Sequence, residues 1–417
     1  MKKNKVLENT VMLYILIASN YVFNFITIPY QTRIMGPEIY GKIGFAFAFS
    51  IYFKLLFDFG FILSATEDVS ENRDNLKKVS NILSEVFFSK ILLIFIGFLI
   101  FIILIYFVGI FQNNKLLFFL YFLYVSIDCF QPDFIYRGLE NMKVITIRNV
   151  IVKFIFMIMT FVFLKNSSQY LYVPLFNLLG SLVSLIWVYY DMFKNLKIKL
   201  VFVRFKNIVS CLKKSGIYFL SRIATTLYGA TNTFILGFVY PTGSVLGYYS
   251  SADKILSAAR SAMSPISDSI YPYMVRNKDF KLIKKILIIF MPIILIGSII
   301  VFIFAKEICV IAFGKEFINS YVILRYMIPI IIITLPSYLI GFPTMSPLGL
   351  KREANFSVIV ASIYHILIII VLLLINRLNV YSLCILTITT EFLILIIRLF
   401  YIFKEMKYEK SFNLWNI

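Results

Sequence analysis

Four cations stand near the middle of apolar stretches long enough to cross a bilayer: Lys54, Lys153, Arg222 and Arg260. On insertion scales each such group costs about 2.5–3.5 kcal/mol at mid-depth. Together they cost on the order of 10 kcal/mol, unless they face water, partner groups or a ligand. Few carboxylates accompany them, so the pattern implies a site that holds something anionic inside the membrane. Two local readings compete with this. Lys54 and Asp58 form an i,i+4 pair on one helix face, which would neutralise both. Lys153 can snorkel toward the interface, or pair with Asp128 or Asp133 of the fourth stretch.

Polar residues surround these cations at helical spacing. The first stretch carries Asn20, Asn24, Thr27 and Gln31 on one face. The seventh carries Arg222, Thr226, Gly229 and Thr233 at the same offsets. The eighth carries Asp253, Ser257, Arg260, Ser264 and Asp268, with Ala258, Ala259, Ser261 and Ala262 between them. The third and ninth stretches are nearly pure Ile, Leu, Phe and Val. Polarity therefore gathers in stretches 1, 2, 7 and 8, which are candidates to line a cavity. Helix–helix packing is the competing account of the Ser, Thr and Asn positions. Candidates for ion coupling are Asp58, Asp128, Asp268, Glu391 and His365. The single histidine, His365, also suits hydrogen-bonded packing.

The elements that must position these groups are membrane helices. The 417 residues are 60% hydrophobic, more than a soluble chain of this length needs. About twelve runs of crossing length recur, near 9–30, 42–64, 82–108, 116–136, 144–164, 171–191, 214–238, 246–272, 286–305, 319–345, 355–375 and 380–402. The expected fold is an all-α polytopic membrane protein with two pseudo-symmetric six-helix lobes. Residues 1–192 form the first lobe, 193–213 a basic cytoplasmic hinge loop, 214–405 the second lobe and 406–417 a cytoplasmic tail. A shift of 206 residues aligns Gly41 with Gly247 and Lys54 with Arg260. Transporters are commonly built from such repeats, with the substrate between them.

The net charge of +20 is an orientation signal rather than a sign of nucleic acid. With the N-terminus inside, 25 Lys and Arg fall in inner loops against 7 in outer ones. Both termini are thereby expected in the cytoplasm. The N-terminal stretch lacks a small-x-small cleavage site and reads as a retained first helix. Cys129, Cys211, Cys309 and Cys384 are scattered, so neither a disulfide framework nor a metal site is indicated. No nucleotide-binding loop, catalytic carboxylate pair or cofactor motif is present. Energy must come from an ion gradient, the membrane potential or downstream pull.

The N-terminal motif Pro29-Tyr30-x-x-Arg33-x-x-Gly36-Pro37-x-x-Tyr40-Gly41 resembles the signature of the polysaccharide transporter family. These are Wzx-type flippases of O-antigen, capsule and related polysaccharides, kin to multidrug extruders and the lipid II flippase. Further matches are Tyr52-Phe53, Asp58-x-Gly60-Phe61, Gly138-Leu139-Glu140 and Phe219-Leu220-Ser221-Arg222. Tyr228, Leu236-Gly237, the run Gly247–Lys254 and Tyr271-Pro272 complete them. The resemblance extends over essentially the whole chain. This chain departs from the family pattern at Glu67, where an Arg is usual, and at Arg137, where a Gln is usual.

The resemblance implies a MATE-like fold with a cavity lined chiefly by helices 1, 2, 7 and 8. It implies as substrate an oligosaccharide on an undecaprenyl pyrophosphate carrier, turned from the inner to the outer leaflet of a bacterial cytoplasmic membrane. The pyrophosphate would meet the buried cations. Implied partners are that lipid-linked sugar, the bilayer and other polysaccharide assembly proteins. A drug or cation antiporter should favour carboxylates over cations in its cavity. The lipid II flippase is a closer rival. A membrane polymerase or ligase is expected to carry a sizeable outer catalytic loop, and no outer loop here is long.

Overall fold

Apolar runs of this length can satisfy their backbone only as helices, and helices are what form. The computed structural model describes the backbone of residues 3–241 and 243–408. It describes their side chains except at 3–7, 10, 220–222, 224–229, 272 and 406–408. No strand occurs among the described residues. The helices are α1 (Lys3–Asp58), α2 (Phe61–Glu71), α3 (Leu76–Phe107), α4 (Gly109–Gln112), α5 (Lys115–Asp128), α6 (Asp133–Gly138), α7 (Met142–Phe163) and α8 (Tyr172–Lys194). They continue as α9 (Phe205–Val239), α10 (Val245–Asn277), α11 (Phe280–Ile303), α12 (Ala305–Phe313), α13 (Ser320–Leu339), α14 (Lys351–Leu374) and α15 (Val380–Tyr408).

The loop expected between the first two spans is absent. α1 instead changes direction at Gly36, whose φ of 66° and ψ of 171° break the helix into two rods. Only glycine holds that conformation without strain. Pro37 then opens the second rod, where its fixed φ suits the first helical turn and its missing N–H costs nothing. Among the described residues, nine segments are long and apolar enough to cross a membrane, and one of them, Val11–Glu71, runs for 61 residues. Cutting it at Gly36 makes ten. Among the described residues of α9, Ala230–Val239 is apolar. α10 has crossing length but too much polarity to qualify. With these two the twelve expected spans are accounted for.

The chain divides into two compact units, Met1–Thr226 and Leu227–Ile417, so the division falls within α9. In unit 1 the second rod of α1 packs on α3 and α5 through phenylalanines. Phe53 meets Phe122 edge-on at 5.2 Å, and Phe49 meets Phe118 at 5.3 Å, an arrangement favoured by the ring quadrupoles. The first rod runs parallel to α7. Thr146 Oγ1 donates to the Met12 carbonyl at 2.9 Å, and Tyr30 Oη donates to the Leu164 carbonyl at 2.8 Å. Between α8 and α9 the chain has no regular structure, yet it is tied to α3. The Lys199 N–H donates to Ser80 Oγ at 3.1 Å and the Val201 N–H to Ser84 Oγ at 2.9 Å.

In unit 2, α13 lies at the centre, against α10, α11 and α15. It gives way to a π turn at Ile340–Thr344. The Arg398 guanidinium serves that break. Its Nη1 donates to the Ser337 carbonyl at 2.6 Å, and its Nε donates to Ser357 Oγ at 3.1 Å. A Cβ on Gly341 would lie 2.8 Å from Arg398 Nη1, so glycine makes room for the guanidinium.

Candidate functional site

In unit 1 the cations of the second and fifth spans stand close together, and neither takes the partner that spacing suggests. Lys54 does not bond Asp58. Its Nζ lies 2.5 Å from Asp128 Oδ2, 74 residues away on α5. Asp58 is the last residue of α1, half-buried at the helix end. Asp128, by contrast, is held by two more donors, Ser181 Oγ and Gln131 Nε2, each at 3.0 Å. Hydrogen bonds to a carboxylate favour its charged form, and Asp128 has them. The Lys54 side chain still keeps 39% of its surface accessible.

Lys153 pairs with neither Asp128 nor Asp133. Its Nζ contacts Asn20 Oδ1 at 2.5 Å. Asn20 lies roughly midway between the two hydrogen bonds that align α1 with α7, so this contact is near the middle of that helix pair. Lys153 and Asn24 are exposed, whereas Asn20 and Thr27 are half-buried. Asp133 is occupied by Arg148, whose Nη2 donates to Asp133 Oδ1 at 2.9 Å. Lys153 lies within electrostatic reach of both Asp128 and Lys54. Unit 1 therefore presents two accessible ammonium groups, one neutralised by a carboxylate and one facing an amide oxygen.

In unit 2 the cation of the eighth span and the carboxylate of the last are partners. Arg260 Nη2 lies 2.5 Å from Glu391 Oε1, joining α10 to α15. The stripe around it is the open side of α10. Ser257 and Asp268 are exposed and Asp253 and Ser264 half-buried, while Ala252, Leu256, Met263 and Ser267 turn inward. His365 is fully buried and takes the packing role. Its Nδ1 lies 2.9 Å from Thr390 Oγ1 and its Nε2 3.0 Å from Asn232 Oδ1. Asn232 in turn donates to Thr387 Oγ1 at 2.8 Å. This network ties α9, α14 and α15 together. Arg222 and Thr226 lie outside the described side chains. No group of three or more His, Cys, Asp or Glu suited to a metal occurs among the described residues.

Three buried cations escape the sequence reading: Lys90, Arg148 and Arg398. Lys90 donates to the Cys129 carbonyl and stands 5.9 Å from the Phe61 ring centroid. The signal was present, since all three fall inside apolar runs. Arg148 and Arg398 lie nearer the run ends, where Lys and Arg ordinarily snorkel to the interface, whereas Lys90 lies as far into its run as Arg222 does.

Ion pairs and amides set among membrane-length helices, with open polar faces in each unit, fit the class of polytopic transporters. The polysaccharide biosynthesis protein family matches residues 6–278, and the chain belongs to that family. It is 26% identical over 372 residues to a protein of Escherichia coli K12 named "Putative O-antigen transporter", covering 87% of this chain and 88% of that protein. An inward-facing multidrug transporter of the MATE family in the MOP superfamily superposes with a TM-score of 0.72 at 12% identity, covering 97% of this chain and all of that one. The lipid II flippase MurJ in an inward closed conformation gives 0.65 at 14% identity, covering 98% and 93%. The fold is therefore that of MOP-superfamily transporters.

Proposed function

We propose that the chain is a flippase for undecaprenyl-pyrophosphate-linked oligosaccharide units. It moves them by alternating access from the inner to the outer leaflet of a bacterial cytoplasmic membrane, with both termini in the cytoplasm. The observation that carries this reading is Lys153, an exposed ammonium near the middle of its helix pair whose hydrogen-bond partner is the neutral Asn20 oxygen. A charge so placed is costly unless water or an anion meets it. A diphosphate supplies that anion, and its oxygens can also compete with Asp128 for Lys54. The exposed hydroxyls and amides of α1 and α10 offer hydrogen bonds to sugar. Family membership and the named O-antigen transporter support the same substrate class.

A drug or cation antiporter is the second reading, favoured by Asp253 and Asp268 on the open side of α10. The deciding experiment uses proteoliposomes loaded with undecaprenyl-pyrophosphate-linked oligosaccharide. Accessibility of the sugar to an external glycosidase measures flipping. The reading requires flipping by the wild type and at least tenfold slower flipping by Lys153→Gln, about the loss of one charge-assisted hydrogen bond. No flipping, together with counter-transport of an organic cation, would replace it with the antiporter.

A further inference from the structure

The segment between α8 and α9 is more than a basic connector. Lys197, Lys199, Arg204 and Lys206 are all exposed, and none forms an ion pair among the described residues. Between them two aromatic side chains point outward: Phe202 is 92% exposed and Phe205 67%. The backbone beneath them is fixed. Ile198 and Val203 are buried, and Ser80 and Ser84 of α3 accept the Lys199 and Val201 N–H groups. The start of α9 is tied down too, because Asn207 Nδ2 donates to Glu85 Oε1 at 3.2 Å. A segment so tethered has no packing reason to display two phenylalanines.

Its position on α3 says what they meet. Before Phe88 the exposed residues of α3 are Leu76, Lys77, Lys78 and Asn81; beyond it they include Ile91, Phe95, Ile96, Phe98 and Leu99. The Phe202 ring lies 6.2 Å from the ring of Phe88. The strap therefore sits where α3 passes from polar to lipid-facing surface, which is the level of the headgroups. Aromatics favour that boundary, and Lys and Arg beside it attract anionic lipid.

We infer that residues 197–206 form a bilayer-surface anchor, in which Phe202 and Phe205 enter the acyl boundary while Lys197, Lys199, Arg204 and Lys206 bind anionic phospholipid headgroups. The anchor fixes the start of α9 relative to the membrane plane. It stands independently of the substrate proposed above.

The test places a nitroxide at Phe202→Cys in the full chain with Cys211→Ser, since the other three cysteines are buried. The protein is reconstituted in phosphatidylcholine vesicles with and without phosphatidylglycerol. With phosphatidylglycerol, the label should be several-fold more accessible to oxygen than to a water-soluble nickel complex. That preference should weaken in phosphatidylcholine alone, in molar salt, and in the Lys197→Gln, Lys199→Gln, Arg204→Gln, Lys206→Gln variant. Gel filtration and circular dichroism verify that the variant is folded. A label equally open to nickel in both vesicle types overturns the inference. So does release of the label by inorganic pyrophosphate, which would assign the cations to a soluble phosphate ligand.

Discussion

Lys54 and Asp128 meet across 74 residues, and Arg260 and Glu391 across 131. Each pair joins two helices in a medium where a lone charge is expensive, so removing one partner costs more than the pair contributes. Asp128→Asn should lower stability in detergent by about 1–3 kcal/mol, between the values for exposed and buried pairs. The Lys54→Gln, Asp128→Asn double variant should be more stable than the sum of the singles predicts. Simple additivity in thermal denaturation would mean the contact carries no energy. At Arg260, alanine should abolish surface polysaccharide in a strain lacking its own flippase, at unchanged membrane abundance. Arg260→Lys should retain part of it, since the ammonium keeps the charge but loses the bidentate fork suited to phosphate. Full export by Arg260→Ala would place the anion elsewhere. The cations were legible in the sequence and their partners were not. Helical spacing exposes only contacts such as Lys54 with Asp58, and a carboxylate 74 residues away leaves no local trace. Glu391, 131 residues from Arg260, leaves none either.

Helix count and position were readable because a crossing helix must be apolar for about 20 residues. What hydropathy could not reveal is how two crossings join. The runs near 9–30 and 42–64 leave a gap that reads as a connection, yet the chain turns at Gly36 alone and α1 continues. Replacing Gly36 by alanine imposes a side chain on a glycine-only region at a cost of about 1–3 kcal/mol. The variant should melt lower in detergent and export less polysaccharide, and Pro37→Ala should be milder because its φ remains accessible to alanine. Equal melting of Gly36→Ala and wild type would show that the break relaxes at no cost. α10 makes the converse point. Its polarity keeps it off the segments that qualify as spans by composition, although its length reads as a crossing run, and the same polarity at helical intervals makes it a candidate cavity helix.

For the whole molecule the charge distribution decides orientation. Lys and Arg are concentrated in alternate connections, 25 against 7, and translocating a basic loop against the membrane potential is unfavourable. The segment around Lys197–Lys206 is the most basic connection and should remain inside, together with both termini. An alkaline phosphatase fusion is active only outside the cytoplasm. It should be active when joined after Asn113, between α4 and α5, and inactive when joined after Lys199. A C-terminal green fluorescent fusion should fluoresce. The two sites are separated by three crossings, made by α5, α7 and α8, so opposite outcomes are required of any topology in which all three span. Activity at both would mean that one of those helices does not cross. Activity after Lys199 alone would invert the chain. It would put the basic strap on the outer face, against the asymmetry of 25 to 7 that sets the orientation.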